Sequence, residues 1–179
     1  MANHDQGCEC VICAGGSYEE LYKNIRDHIS REGHAVIGIE DSDPSFAYTI
    51  GEYEINAPEL LIFGLSGPNS TMILNHIVAV RRRRPEGQTF RHGERVNLGG
   101  KYPPIIMDAT IRAATDYAIQ ACEYYKIPPE LLRVQLVVAP DTNGRYPWES
   151  GCKAPYANIP TIWRPTLISP RSGGPRCND

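Results

Sequence analysis

FAYTIGEYEINAPELLIFGL, residues 46–65, is the stretch whose reading decides the fold. Phe46, Tyr48 and Ile50 alternate with Ala47 and Thr49, the two-residue period of a strand. Residues 59–65 form a second β-segment, and a polar connection that Gly51 opens and Pro58 closes lies between the two. On this reading Phe46, Tyr48, Ile50, Leu60, Ile62 and Leu65 are core residues. Thr49, Gly51 and the Glu52-Tyr53-Glu54 loop are left as the contacts this stretch offers a ligand.

Upstream, Ser17 and Glu20 have the spacing of a capping box, and Leu21, Ile25 and Ile29 recur every fourth residue. The pattern predicts a helix that Gly33 ends. Residues 35–39, a short β-branched run, form the next strand, and Asp41-Ser42-Asp43-Pro44 the turn after it. Downstream, Pro68 suits the first position of a second helix, with Met72, Ile73, Ile77 and Val80 as its apolar face. Arg81 to Arg84 and Pro85 end that helix, and the arginines read as a solvated helix end whose charge complements the dipole. Residues 87–100 read as a β-rich connection burying Phe90 and Val96, and residues 105–107 as an extended run. Residues 113–125 read as a third helix burying Ala114, Tyr117, Ala118, Ala121 and Tyr125. Residues 134–138 are the best late strand, followed by the turn Asp141-Thr142-Asn143-Gly144.

The expected fold is therefore α+β: one domain, residues 17–165, with a mainly antiparallel mixed sheet covered by about three helices. Residues 1–16 form a cysteine-containing arm and residues 166–179 an irregular tail. The 179-residue length suffices for one buried core. A net charge of −3 gives no general electrostatic reason to expect nucleic acid as partner. The start lacks an export signal and no apolar run is long enough for a bilayer, so the expectation is a cytoplasmic protein without a membrane partner.

Phe46-Ala-Tyr-Thr-Ile-Gly, Pro58-Glu-Leu-Leu-Ile-Phe-Gly-Leu, Gly93-Glu-Arg-Val and Pro140-Asp through Gly144-Arg-Tyr-Pro-Trp-Glu occur in this order. Together with Cys10-Val-Ile-Cys13-Ala-Gly they resemble the bacterial and phage family catalogued as domain of unknown function 4262, from about Cys10 to Cys152. The chain departs from that pattern at Glu52-Tyr53-Glu54 and at Ala139, places where the resemblance would put a pocket rim. The resemblance supports the fold and a bacterial or phage origin, and its context suggests a role in host–phage or toxin–immunity conflict. It implies no activity.

Four groups of residues carry candidate chemistry. Cys8, Cys10 and Cys13, with Cys152 or His4 as a fourth ligand, have the spacing of a tetrahedral zinc site that would pin the arm; a chance cluster or a redox pair explains the same residues. Arg145 and Trp148, in the turn Arg145-Tyr146-Pro147-Trp148-Glu149, could grip a planar anion, or Trp148 could plug the core while Arg145 pairs with Glu149 or Asp141. Thr49 faces a helix or a cleft, and Gly51 permits a bend or a close approach. His92 and Glu94 lie at a polar hairpin tip with Arg95 beside them.

The leading functional expectation is a binding protein that takes a small anionic ligand or a protein partner in a cleft lined by Thr49, Gly51, His92, Arg95, Arg145 and Trp148. A hydrolase of a nucleotide-like or other small anionic substrate is the alternative, with His92 or Glu149 as general base and Arg95 or Arg145 stabilising developing charge. A zinc-stapled interaction module is the third reading, and self-association is left open.

Overall fold

The structure is a computed structural model, and it describes residues 15–163. Six strands form one sheet: β1 (Ala35–Ile39), β2 (Phe46–Ile50), β3 (Glu59–Phe63), β4 (Glu94–Arg95), β5 (Ile105–Asp108) and β6 (Val134–Val138), in the order β1-β2-β3-β6-β5-β4. All neighbours are antiparallel except β3 and β6, which run parallel at the centre. The α+β expectation holds, with one domain built on a mixed, mainly antiparallel sheet.

The alternation in residues 46–50 sorts the two faces. Tyr48 and Ile50 join Leu61, Phe63, Leu136 and Val138 on one side, where α1 (Tyr18–Glu32) and α3 (Ile119–Tyr125) contribute Ile25, Ala121 and Cys122. Ala47, Leu60, Ile62 and Val137 point the other way, against Leu74, Ile77 and Val78 of α2 (Gly67–Arg82). Strands β3 and β6 are buried along their whole length because helices cover both faces.

Local signals act as the sequence predicts at α1. Ser17 Oγ accepts the Glu20 amide at 3.2 Å, and Gly33 closes the helix at φ 80°. Two other expectations are corrected. The buried face of α2 is Ser70, Leu74, Ile77, Val78 and Arg81, while Met72 is 51% exposed and Ile73 and Val80 are half-buried. The helix packs on β1, β2 and β3 together, and its packed stripe falls one to two residues from the most apolar one. The third helix is not continuous: residues Ala113–Tyr117 form a π-helical turn closed by the Ala118 amide on the Ala113 carbonyl at 2.9 Å, and α3 begins only after it. Tyr117 leans over the sheet there, edge-on to Phe46 and Phe63 with centroids 5.2 and 4.9 Å away. Of residues 87–100, only Glu94–Arg95 pairs as a strand, although Phe90 and Val96 are buried as expected. Among the described residues no helix is long and apolar enough to cross a membrane.

Candidate functional site

The sheet has two chemically distinct ends. At the first end lie Ile50, Glu59, Val134 and Asp108; at the other lie Phe46, Phe63, Val138 and Ile105.

Glu59 opens β3 and is fully buried at the first end. Its Oε2 accepts the Thr49 hydroxyl at 2.6 Å; its Oε1 accepts the Gly51 and Tyr53 amides at 3.1 and 3.0 Å and the Tyr125 hydroxyl at 2.6 Å. Burial pushes the carboxyl up to about 7, and the four donors only partly offset that. Thr49 also accepts the Leu60 amide at 2.9 Å, so its side chain is an internal linker and has no accessible surface. Gly51 is buried as well. Its φ is 127°, and an added Cβ would lie 2.8 Å from the Gly33 carbonyl oxygen and from His34 Cα. Glycine is therefore demanded by chain packing at this bend. The sequence reading placed Thr49 and Gly51 on a cleft wall; the structure places both inside.

Beside this cage, Glu52 is fully buried in an ion pair with Arg81, whose Nη1 donates to the Pro58 carbonyl at 3.1 Å; Arg82 reaches Glu52 at 3.4 Å. Glu52 is thus no rim residue, and Arg81 is 4% exposed where a solvated helix end was expected. A long side chain in the last turn of α2 follows the packed stripe inward because an acid waits for it there.

The same end carries a cleft of about 590 Å³ between the start of β6, the end of β5 and residues 89–92. Gln135 forms its floor: Nε2 donates to the Phe90 carbonyl and to Asp108 Oδ1, both at 2.9 Å. The Asp108 amide donates to His92 Nδ1 at 3.0 Å, which places the proton of the neutral ring on Nε2. Asp108 Oδ2 lies 3.9 Å from the ring, and its side chain is 45% exposed. Gln135 Oε1 and Thr110 Oγ1 are buried in the wall without a hydrogen-bond partner among the described residues. Arg91 and Arg133 stand on the rim; Arg133 donates to the Asn56 carbonyl at 2.5 Å and to its Oδ1 at 2.9 Å.

At the opposite end, Asp141 organises the turn after β6. Its carboxylate accepts the Arg145, Asn143 and Lys153 amides at 2.9, 2.8 and 3.1 Å, and these bonds, led by that of Arg145, hold it below the ordinary range. Tyr146 is buried and donates to the Pro103 carbonyl at 2.7 Å. Trp148, 48% exposed, stacks on Tyr146 at 5.3 Å and meets Trp163 edge-on. The Arg95 guanidinium lies 5.6 Å over the other aromatic partner, Tyr146. Arg145 turns back to the Gly151 carbonyl at 3.0 Å, and Glu149 accepts the Tyr146 amide at 2.7 Å. Arg145 is paired with neither Glu149 nor Asp141 through its side chain, and the Trp148 ring caps Tyr146 at the surface. Glu94, the neighbour of Arg95, instead holds Arg84.

The six expected ligand contacts are therefore divided. Thr49 and Gly51 are interior, His92 lines the cleft at their end of the sheet, and Arg95, Arg145 and Trp148 gather at the other end. Cys8, Cys10, Cys13 and His4 lie outside the described residues. Cys152 is half-buried, its thiol donating to the Arg145 carbonyl at 3.3 Å. No group of three or more metal-ligating side chains occurs among the described residues. Glu59, Asp108 and Gln135 were missed by the sequence reading. The signal for Glu59 was present: a carboxylate opening Glu59-Leu60-Leu61-Ile62-Phe63, a segment too apolar to have a solvent face.

A family model described as domain of unknown function (DUF4262) matches residues 28–153. The chain belongs to that family. No curated protein and no solved structure matches it.

Proposed function

We propose that this chain is a binding protein for a small ligand seated in the cleft of His92, Asp108, Thr110 and Gln135. One observation carries the reading: an imidazole of fixed tautomer, a half-exposed carboxylate and two rim arginines converge on a single cleft. The combination sharpens the ligand. Arg91 and Arg133 favour an anionic group, whereas Asp108 and the partnerless Gln135 oxygen ask for an N–H or O–H donor. The ligand class is a small anion that also carries a donor, such as an amino acid or a nucleotide. The hydrolase alternative draws less support. His92 would have to take a proton at Nδ1, which already accepts the Asp108 amide, and Glu149 lies in a turn at the far end of the sheet.

Calorimetric titration with inorganic phosphate, glutamate and a nucleoside monophosphate tests the proposal, with turnover followed in parallel. Binding by a probe bearing both groups, weakened about tenfold or more in Arg91→Ala/Arg133→Ala and unchanged in Trp148→Ala, is the expected result. Absence of binding by every probe, or binding indifferent to the two arginines, would sink it. Product formation lost in His92→Ala would replace it with the hydrolase.

A further inference from the structure

Strand β1, Ala35-Val36-Ile37-Gly38-Ile39, is an edge strand: among the described residues it pairs with β2 alone. Protein edges of this length are ordinarily guarded by a lysine, a proline or a bulge, and β1 has none of these. Its outward groups follow from the register. The Gly64 amide donates to the Ser45 carbonyl at 2.8 Å, and these residues are opposite each other, so odd-numbered residues at the start of β2 bond to β3. Phe46, Tyr48 and Ile50 then bond to their β1 partners Ile39, Ile37 and Ala35. Val36 and Gly38 are left to direct their amides and carbonyls at the open edge.

We propose that β1 is a self-pairing interface through which two copies of this chain join their sheets edge to edge, antiparallel, about a two-fold axis at Ile37. Within the strand, this register lets Val36 and Gly38 of each copy bond to Gly38 and Val36 of the other. It also matches large side chains to small ones. Val36 falls beside the partner's Gly38, where an added Cβ would meet nothing within 4 Å, and Ile39 falls beside the partner's Ala35. The two Ile37 side chains meet at the axis, on the face already occupied by the core of α1 and α3. Charge follows the same axis. Glu40, Asp41 and Asp43 follow the strand, whereas Arg31 and Arg82 lie at its start beside Glu32, with Arg82 Nη1 held on the Glu32 carbonyl at 2.8 Å and its Nη2 3.4 Å from buried Glu52. The two-fold brings each acidic turn to the other copy's arginine-bearing end.

Light scattering after size exclusion, over a concentration series, reads the assembly against the 19.9 kDa chain mass. Wild type is expected at twice that mass. Gly38→Lys, at an exposed position with open space around it, is expected to run as a monomer with an unchanged circular dichroism spectrum, its dissociation constant raised about tenfold or more. The register has its own readout. Facing residues of a non-hydrogen-bonded antiparallel pair lie within disulfide reach, so Ile37→Cys under mild oxidation should give a covalent dimer beyond the wild-type level. A monomeric wild type, a dimeric Gly38→Lys, or no excess crosslinking in Ile37→Cys would each overturn the interface.

Discussion

Replacing Glu59 with glutamine should change how stability responds to pH more than it changes stability itself. Burial raises the Glu59 carboxyl from 4.5 in the ordinary state to about 7 in the folded protein. Between those values the native state holds a proton that the unfolded chain releases, so stability falls as pH rises through this window and levels off above 7. Integrated from pH 5 to pH 8, the loss is about 2 to 3 kcal/mol. Glutamine keeps the geometry: its oxygen can accept from Gly51, Tyr53 and Tyr125, and its amide nitrogen can donate to Thr49. It carries no charge to desolvate. Urea unfolding at pH 5, 6, 7 and 8 should therefore show Glu59→Gln gaining about 2 to 3 kcal/mol relative to wild type across the series. Taking the difference between the two proteins cancels His34, whose pKa burial lowers and which therefore makes stability rise with pH below its ordinary 6.5. It also cancels Asp141 and Glu94, whose lowered values act only in the acid range. Curves that run parallel from pH 5 to pH 8 would refute the argument that Glu59 is desolvated and unpaired with a cation.

Arg81→Ala should destabilise by about 3 to 5 kcal/mol in urea, because Glu52 stays buried with only Arg82 near it; the double change Glu52→Gln/Arg81→Met should recover most of that loss. Gly51→Ala should cost about 2 kcal/mol or more, since its Cβ would strike backbone atoms at an unfavourable φ. Gly38→Ala, which meets open space within the single chain, should instead gain about 0.5 to 1 kcal/mol in the monomer, read at concentrations below self-association. Tyr146→Phe should lower stability by about 1 kcal/mol through loss of the bond to the Pro103 carbonyl, and thermal melts suffice to measure it.

Elements specified by neighbouring residues were legible in the sequence. Ser17 and Gly33 bound α1, alternation placed β2, and residues 134–138 formed β6 where expected. Elements whose form depends on distant partners were not. The stripe on α2 is set by its packing on three strands distant in sequence, and the π-turn before α3 has no local breaker to announce it. The cleft is harder still to read. Its floor needs Asp108 opposite Gln135, a register between segments 27 residues apart, and its imidazole comes from a loop with no strand pattern. Residue type alone ranked Arg145 and Trp148 beside His92, and only the strand order separates them.

The turn between β2 and β3, residues 51–58, receives the ends of all three helices. Gly51 packs against Gly33 and His34 just past α1, Glu52 binds Arg81 near the end of α2, and Tyr125, the last residue of α3, bonds to Glu59 beside it. Two buried acids there are handled differently. Glu52 faces the Arg81 guanidinium, whereas Glu59 meets only neutral donors and takes up a proton near neutrality. The ion pair fixes α2 to the turn, while ionisation of Glu59 places a desolvated charge inside its cage and costs stability there. The cleft is joined to this platform at its rim, through Pro58 and through the bonds of Arg133 to Asn56. His92, Asp108 and Gln135 are held instead by bonds among residues of β5, β6 and the 90–92 segment. Ionisation at Glu59 should therefore reach a bound ligand through Arg133 before it reaches the imidazole, so affinity for the anionic group should weaken with rising pH more than recognition of the donor.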